Sequence, residues 1–152
     1  MRKFLYLSLM DKILALKNEA GDSVIKTVDL WNEQVEFIEQ EDPFELPAIF
    51  VEFQPIRWMS LSGNVQQADA NIRLHILTSY QGNYRSTNEH REESLQRMEL
   101  LDQLDEHLNN TQDRNEKCGF CMFQRTGSST NHNHEEIIED ITDFSTRLTQ
   151  RL

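Results

Sequence analysis

From about Lys3 to Ala20 the chain has no Gly or Pro, and its apolar residues cluster on one side. At about 100° per residue Leu5, Tyr6, Leu7, Leu9, Met10, Ile13, Leu14 and Leu16 fall within an arc of roughly 200°. The spacing predicts a first helix, with Ser8, Asp11, Lys12 and Ala15 on its other face and Gly21 as the left-handed residue that ends it. So wide an arc implies burial on two sides, either against another subunit or deep in the protein's own core. β-Branched residues then predict a strand over Ser23 to Trp31, and Pro47-Ala48-Ile49-Phe50-Val51-Glu52-Phe53 a second. A proline at a strand's first residue sacrifices no central ladder bond.

Arg57 to Leu61 reads as a short strand, Ser62-Gly63-Asn64 as a turn, and Gln66 to Tyr80 as a strand whose Ile72, Leu74 and Ile76 alternate with Arg73, His75 and Leu77. Gln81 to Arg85 is loop. Ser86-Thr87-Asn88-Glu89 fits a capping box, opening a helix from Glu89 to Leu108 with Leu95, Met98, Leu100, Leu101, Leu104 and Leu108 at helical spacing. Glu93 and Arg97 are spaced for an i,i+4 pair, and Asn109-Asn110-Thr111 ends the helix. Cys118 to Arg125 predicts a strand, Thr126 to His134 a flexible polar connection, and Glu136 to Leu148 a long final strand. The resulting order, α-β-β-β-β-α-β-β, implies an α+β fold: one domain over residues 1–152, with a mainly antiparallel sheet and two helices packed on it.

Composition agrees with one compact core: 152 residues, 38% hydrophobic and 9% aromatic, with only 5 Gly and 3 Pro. Charge narrows the partners. With 15 Lys+Arg against 26 Asp+Glu the formal charge is -11, and no basic stripe is present to displace counterions from a phosphate backbone, so sequence-specific nucleic-acid binding is not expected. The acidity is uneven. Between Lys26 and Arg57 there is no base, while Asp29, Glu33, Glu36, Glu39, Glu41, Asp42, Glu45 and Glu52 are acidic, in a stretch whose Pro43 and Pro47 predict a loop. Met1-Arg2-Lys3 and the apolar residues after it imitate a secretory leader, but Asp11 and Lys12 interrupt them and no cleavage site follows. The longest apolar runs are four residues, far below the roughly 18 needed to cross a bilayer, so no membrane partner is expected.

Two cysteines cannot form a disulfide scaffold, which makes a reducing cytoplasm the simpler setting. Cys118-Gly119-Phe120-Cys121 is a C-x-x-C, yet it leads into strand-like residues and not into the helix that lowers a redox thiol's pKa. On a strand the two sulfurs face opposite ways. With His132 and His134 the pair offers the S2N2 donor set of structural zinc, although H-x-H departs from the usual spacing. A small zinc-binding or redox protein using Cys118 and Cys121 is therefore the alternative reading. His75 lies on the polar side of its strand without a partner nearby in sequence, which predicts a surface histidine. No phosphate-binding Gly-rich loop, G-x-S-x-G, H-E-x-x-H or EF-hand loop occurs.

The amphipathic first helix, the acidic loop closing on Leu46-Pro47-Ala48-Ile49-Phe50-Val51-Glu52-Phe53, the strand Asn71 to Leu77 and the helix Glu89 to Leu108 together resemble the tail terminator, or tail-completion, proteins of long-tailed phages. The resemblance implies a non-enzymatic structural protein without cofactor, from a phage or prophage. It would be assembled in the bacterial cytoplasm and housed in the virion tail or neck. It further implies a homo-oligomer, usually a hexameric ring, that caps the tail tube protein and joins it to a head-closure protein. Some of Glu33, Glu36, Glu39, Glu41, Asp42 and Glu45 would then face the lumen, where like charge keeps DNA from sticking, or a neighbouring ring.

Overall fold

A computed structural model describes residues 1–33, 44–79, 91–132 and 136–152. Its elements are α1 (Arg2–Leu14), β1 (Thr27–Leu30), β2 (Ala48–Phe53), β3 (Arg57–Ser62), β4 (Val65–Ser79), α2 (Arg91–Leu108), β5 (Asp113–Arg114), β6 (Cys118–Asn131) and β7 (Ile137–Arg151). The class is α+β, as the periodicities imply. The strands form one sheet in the order β1-β2-β4-β7-β6-β5, with β3 also beside β4. All pairs are antiparallel except β1 with β2, so the sheet is mixed at one edge.

β2 and β3 lie end to end along the same side of the 15-residue β4. Gln54 still pairs, its amide donating to the Asn71 carbonyl at 3.1 Å. Pro55 has no N–H to continue the ladder, and beyond it the register has advanced by one residue, Phe53 facing Ile72 but Arg57 facing Asp69. The β3–β4 hairpin turns at Gly63, whose φ of 54° is the left-handed value a tight turn needs.

One sheet face carries the core. Ile49 and Val51 of β2, alternate residues Ala68 to Ile76 of β4, and Phe144 and Leu148 of β7 are buried against Leu5, Leu9 and Ile13 of α1 and Leu100, Leu104 and Leu108 of α2. Each helix thus buries an i, i+4, i+8 stripe. The stripe of α1 is narrower than its apolar arc, since Leu7 remains exposed. In β6 a bulge at Met122, where φ is 57°, brings Phe120 and Phe123 onto the same buried face, and Phe123 stacks on Phe144 at 4.5 Å.

Three expectations require correction. The first helix stops at Leu14, not Ala20. Ser23 Oγ donates to the Leu14 carbonyl, the Val24 amide to that of Leu16, and Gly21 at φ 83° serves the turn between Lys17 and Ser23 in place of a helix end. Strand β1 spans only Thr27–Leu30, because its ladder begins where the Lys26 and Thr27 amides reach the Pro47 carbonyl. Thr126 to Asn131 is not a flexible connection: it continues β6, paired with β7 as far as Asn131–Glu139. The sequence pattern also omitted β5. The proposed capping box at Ser86 to Glu89 lies outside the described residues.

Candidate functional site

Among the described residues the other sheet face is largely free of helices, and it divides into three zones along β4. At one end a small apolar cluster of Ala48, Phe50, Leu77 and Ile137 is covered by Trp31, Phe44 and Leu46. Within this zone stands His75, which is buried, contrary to the surface position its strand periodicity implies. Its Nε2 lies 2.8 Å from Glu52 Oε2 and its Nδ1 3.0 Å from Glu139 Oε1. Trp31 closes the remaining side, its ring parallel to the imidazole with centroids 3.7 Å apart.

Ionised carboxylates only accept hydrogen bonds, so the two contacts need two protons among the three groups. An imidazolium donating to both carboxylates meets that count, as does a neutral imidazole receiving one proton from a carboxyl group. Either way both ring nitrogens are committed and one face is capped. The imidazole therefore ties β2, β4 and β7 to the segment after β1 instead of facing solvent. Sequence spacing concealed this because the partners lie 23 and 64 residues away. The available signal was Glu52 inside the otherwise apolar strand Ala48–Phe53, an arrangement that demands a polar partner.

The middle zone is a ladder of ions. Arg73 makes a two-point contact with Asp143 at 2.8 and 3.2 Å. The hydrogen bond to Asp143 pushes the Arg73 pKa above its usual value, burial opposes this, and the charges of Asp143, Glu52 and Glu139 add to the rise. Two rungs further along this face, past Asn71 and Ser145, Arg147 Nε donates to Asp69 Oδ1 at 3.1 Å.

The third zone is a groove of about 820 Å³ at the β5 end, lined in part by Val65, Arg114, Lys117, Arg147, Thr149 and Arg151. Cys118 and Cys121 also line it and are free thiols, half-buried. Both sit in the regular first part of β6, where an odd spacing sends side chains to opposite faces, and Cys118 Sγ donates to Asn115 Oδ1 at 3.4 Å. Among the described residues no three His, Cys, Asp or Glu side chains are grouped to hold a metal ion. His132 is exposed, and His134 lies outside the described residues.

No protein-family model matches the chain, and no curated protein matches it. Site chemistry therefore rests on geometry. Of the six acids assigned to an interface, Glu33 and Glu45 are exposed beside β1, while Glu36, Glu39, Glu41 and Asp42 lie outside the described residues. Glu33 has φ 57°, where the chain leaves the β1 direction just past Trp31. Arg97 donates to Asp140 of β7 at 2.6 Å and so fastens α2 to the sheet. No helix among the described residues is long and apolar enough to cross a membrane.

Proposed function

We propose that this protein is a structural tail terminator of a phage or prophage, a non-enzymatic ring component that caps the tail tube and joins it to the head-closure protein. The observation that supports this reading is the exposed apolar surface of the β3–β4 hairpin, beside a sheet whose described edge strands are short. Short strands β1 and β5 stand at its two edges, and the β3–β4 hairpin holds Met59 and Leu61 59% and 58% exposed. Large apolar side chains exposed in this way are surfaces that assembly covers. The proline-led segment that carries the family resemblance forms β2, next to the edge strand β1.

In the assembled ring some of the acids from Glu33 to Glu45 line the passage for DNA or meet a neighbouring ring. The test is a deletion of the gene in a producing phage. Tail tubes of uncontrolled length, without attached heads, and rescue by purified protein that caps tube ends are the expected results. Normal tails in the deletion strain would overturn the reading. Charge reversal at Glu39, Glu41 and Asp42 together should impair assembly or DNA passage while leaving the fold intact.

A further inference from the structure

Opposite edges of the sheet carry opposite charge. At the β1 edge Asp29, Glu33 and Glu45 are exposed, and the Glu45 carbonyl is held by Thr27 Oγ1 at 2.8 Å. Lys26, just before β1, is the nearest base in sequence. At the β5 edge Arg114, Lys117, Arg147 and Arg151 converge on the groove. Asp113 and Glu116 line it too, and Arg147 is paired with Asp69 at 3.1 Å, but the four bases outnumber the two lining acids and the balance at the groove is cationic. Four of the chain's 15 bases gathered in one concavity stand out in a protein of charge -11. Exposed Met59 stands one strand away, facing Gln67 of β4, which in turn faces Thr149.

We propose that the cationic groove at β5 binds the acidic β1 edge of a second copy of this chain. The proposal rests on the ring reading above and names the contact that closes the ring. Self-pairing of either patch through a two-fold axis would set like charges together, whereas joining the two different patches satisfies both. Such a contact is heterologous, and its repetition builds a ring or a filament. Arg114 and Lys117 supply the forked and point donors, and the groove receives the carboxylates of the neighbouring edge.

The test uses two charge-reversed forms of the full chain. Lys117→Glu with Arg151→Glu makes both edges acidic, and Glu33→Lys with Glu45→Lys places bases at the β1 edge while the groove stays cationic. Sedimentation at low salt should show association of the native protein that weakens as salt is raised. Each variant alone should have its dissociation constant raised about tenfold or more, and an equimolar mixture should recover association through alternating contacts. Native protein that stays monomeric at high concentration, variants that still self-associate, or a mixture that stays dissociated would each overturn the proposal. Lys117→Gln with Arg151→Gln and circular dichroism of every form separate lost contact from lost fold. Because the readout is self-association of isolated protein, its failure is distinct from failure to cap tail tubes.

Discussion

The Trp31 indole lies flat on the His75 imidazole, 3.7 Å between centroids and 4° from parallel, while both imidazole nitrogens meet carboxylates. His75→Phe preserves a ring for Trp31 to stack on and removes both hydrogen bonds. It should lower stability by about 2–4 kcal/mol, because the Glu139 carboxylate then stays buried without its imidazole. Adding Glu139→Gln should recover part of that loss, and urea unfolding of the two variants measures it. Equal stability of His75→Phe and native protein would show that the bonds contribute nothing net.

Among the described residues the Arg97–Asp140 ion pair joins α2 to the sheet in an enclosed setting, with side chains 13% and 5% exposed. Thr130 Oγ1 donates to the second Asp140 oxygen at 2.7 Å, so the carboxylate is satisfied from two elements. Arg97→Met should destabilise by about 2–4 kcal/mol by leaving that charge without its cation. A double-mutant cycle with Asp140→Asn should return a coupling above about 1 kcal/mol, and additive effects would refute a direct link.

Gly119 sets how closely β5 approaches β6. A Cβ there would stand 2.9 Å from Arg114 Cβ and 3.2 Å from the Asp113 carbonyl oxygen, with β5 only two residues long. Gly119→Ala should detach β5 while leaving the main sheet, seen as faster amide exchange at Asp113 and Phe120, the hydrogen-bonded pair of this ladder. If the β5 amides stay protected, the close approach is less restrictive than its geometry implies.

Asp105 gives a pH dependence of definite sign. Burial raises its carboxyl pKa above 3.8, while the hydrogen bond and charge of Arg125 pull it down and Asp102 pushes it up. The folded state therefore holds this proton to higher pH than the unfolded state does. Its contribution to stability is greatest below 3.8 and declines as pH rises through the folded value. Asp105→Asn should remove that decline, so the stability difference between variant and native protein should shift in the variant's favour from pH 3.5 to pH 7, as roughly expected from linkage. A difference independent of pH would mean that Asp105 titrates alike in both states.

Short-range periodicity made most elements legible. Ile72, Leu74 and Ile76 do face the core, and Leu100, Leu104 and Leu108 do form the buried stripe of α2. Thr126 to Asn131 escaped because its Ser, Thr and Gly residues have no apolar face, and their strand state depends on a ladder with β7. The end of α1 escaped because Ser23, nine residues on, supplies the bond at Leu14.

Apolar spacing, turn residues and the uneven charge are properties of neighbours in the chain, so the sequence by itself determined an α+β domain, its two helices and an acidic stretch before β2. Which residues meet across the sheet was decided by tertiary structure alone. His75 is buried because Trp31, Glu52 and Glu139 arrive from separate strands and loops, and the cations at the groove come together only when β5, β6 and β7 pair. Periodicity specifies which side of a strand a residue occupies. What covers that side depends on long-range register, and it is register that sets acid at one edge of the sheet and base at the other.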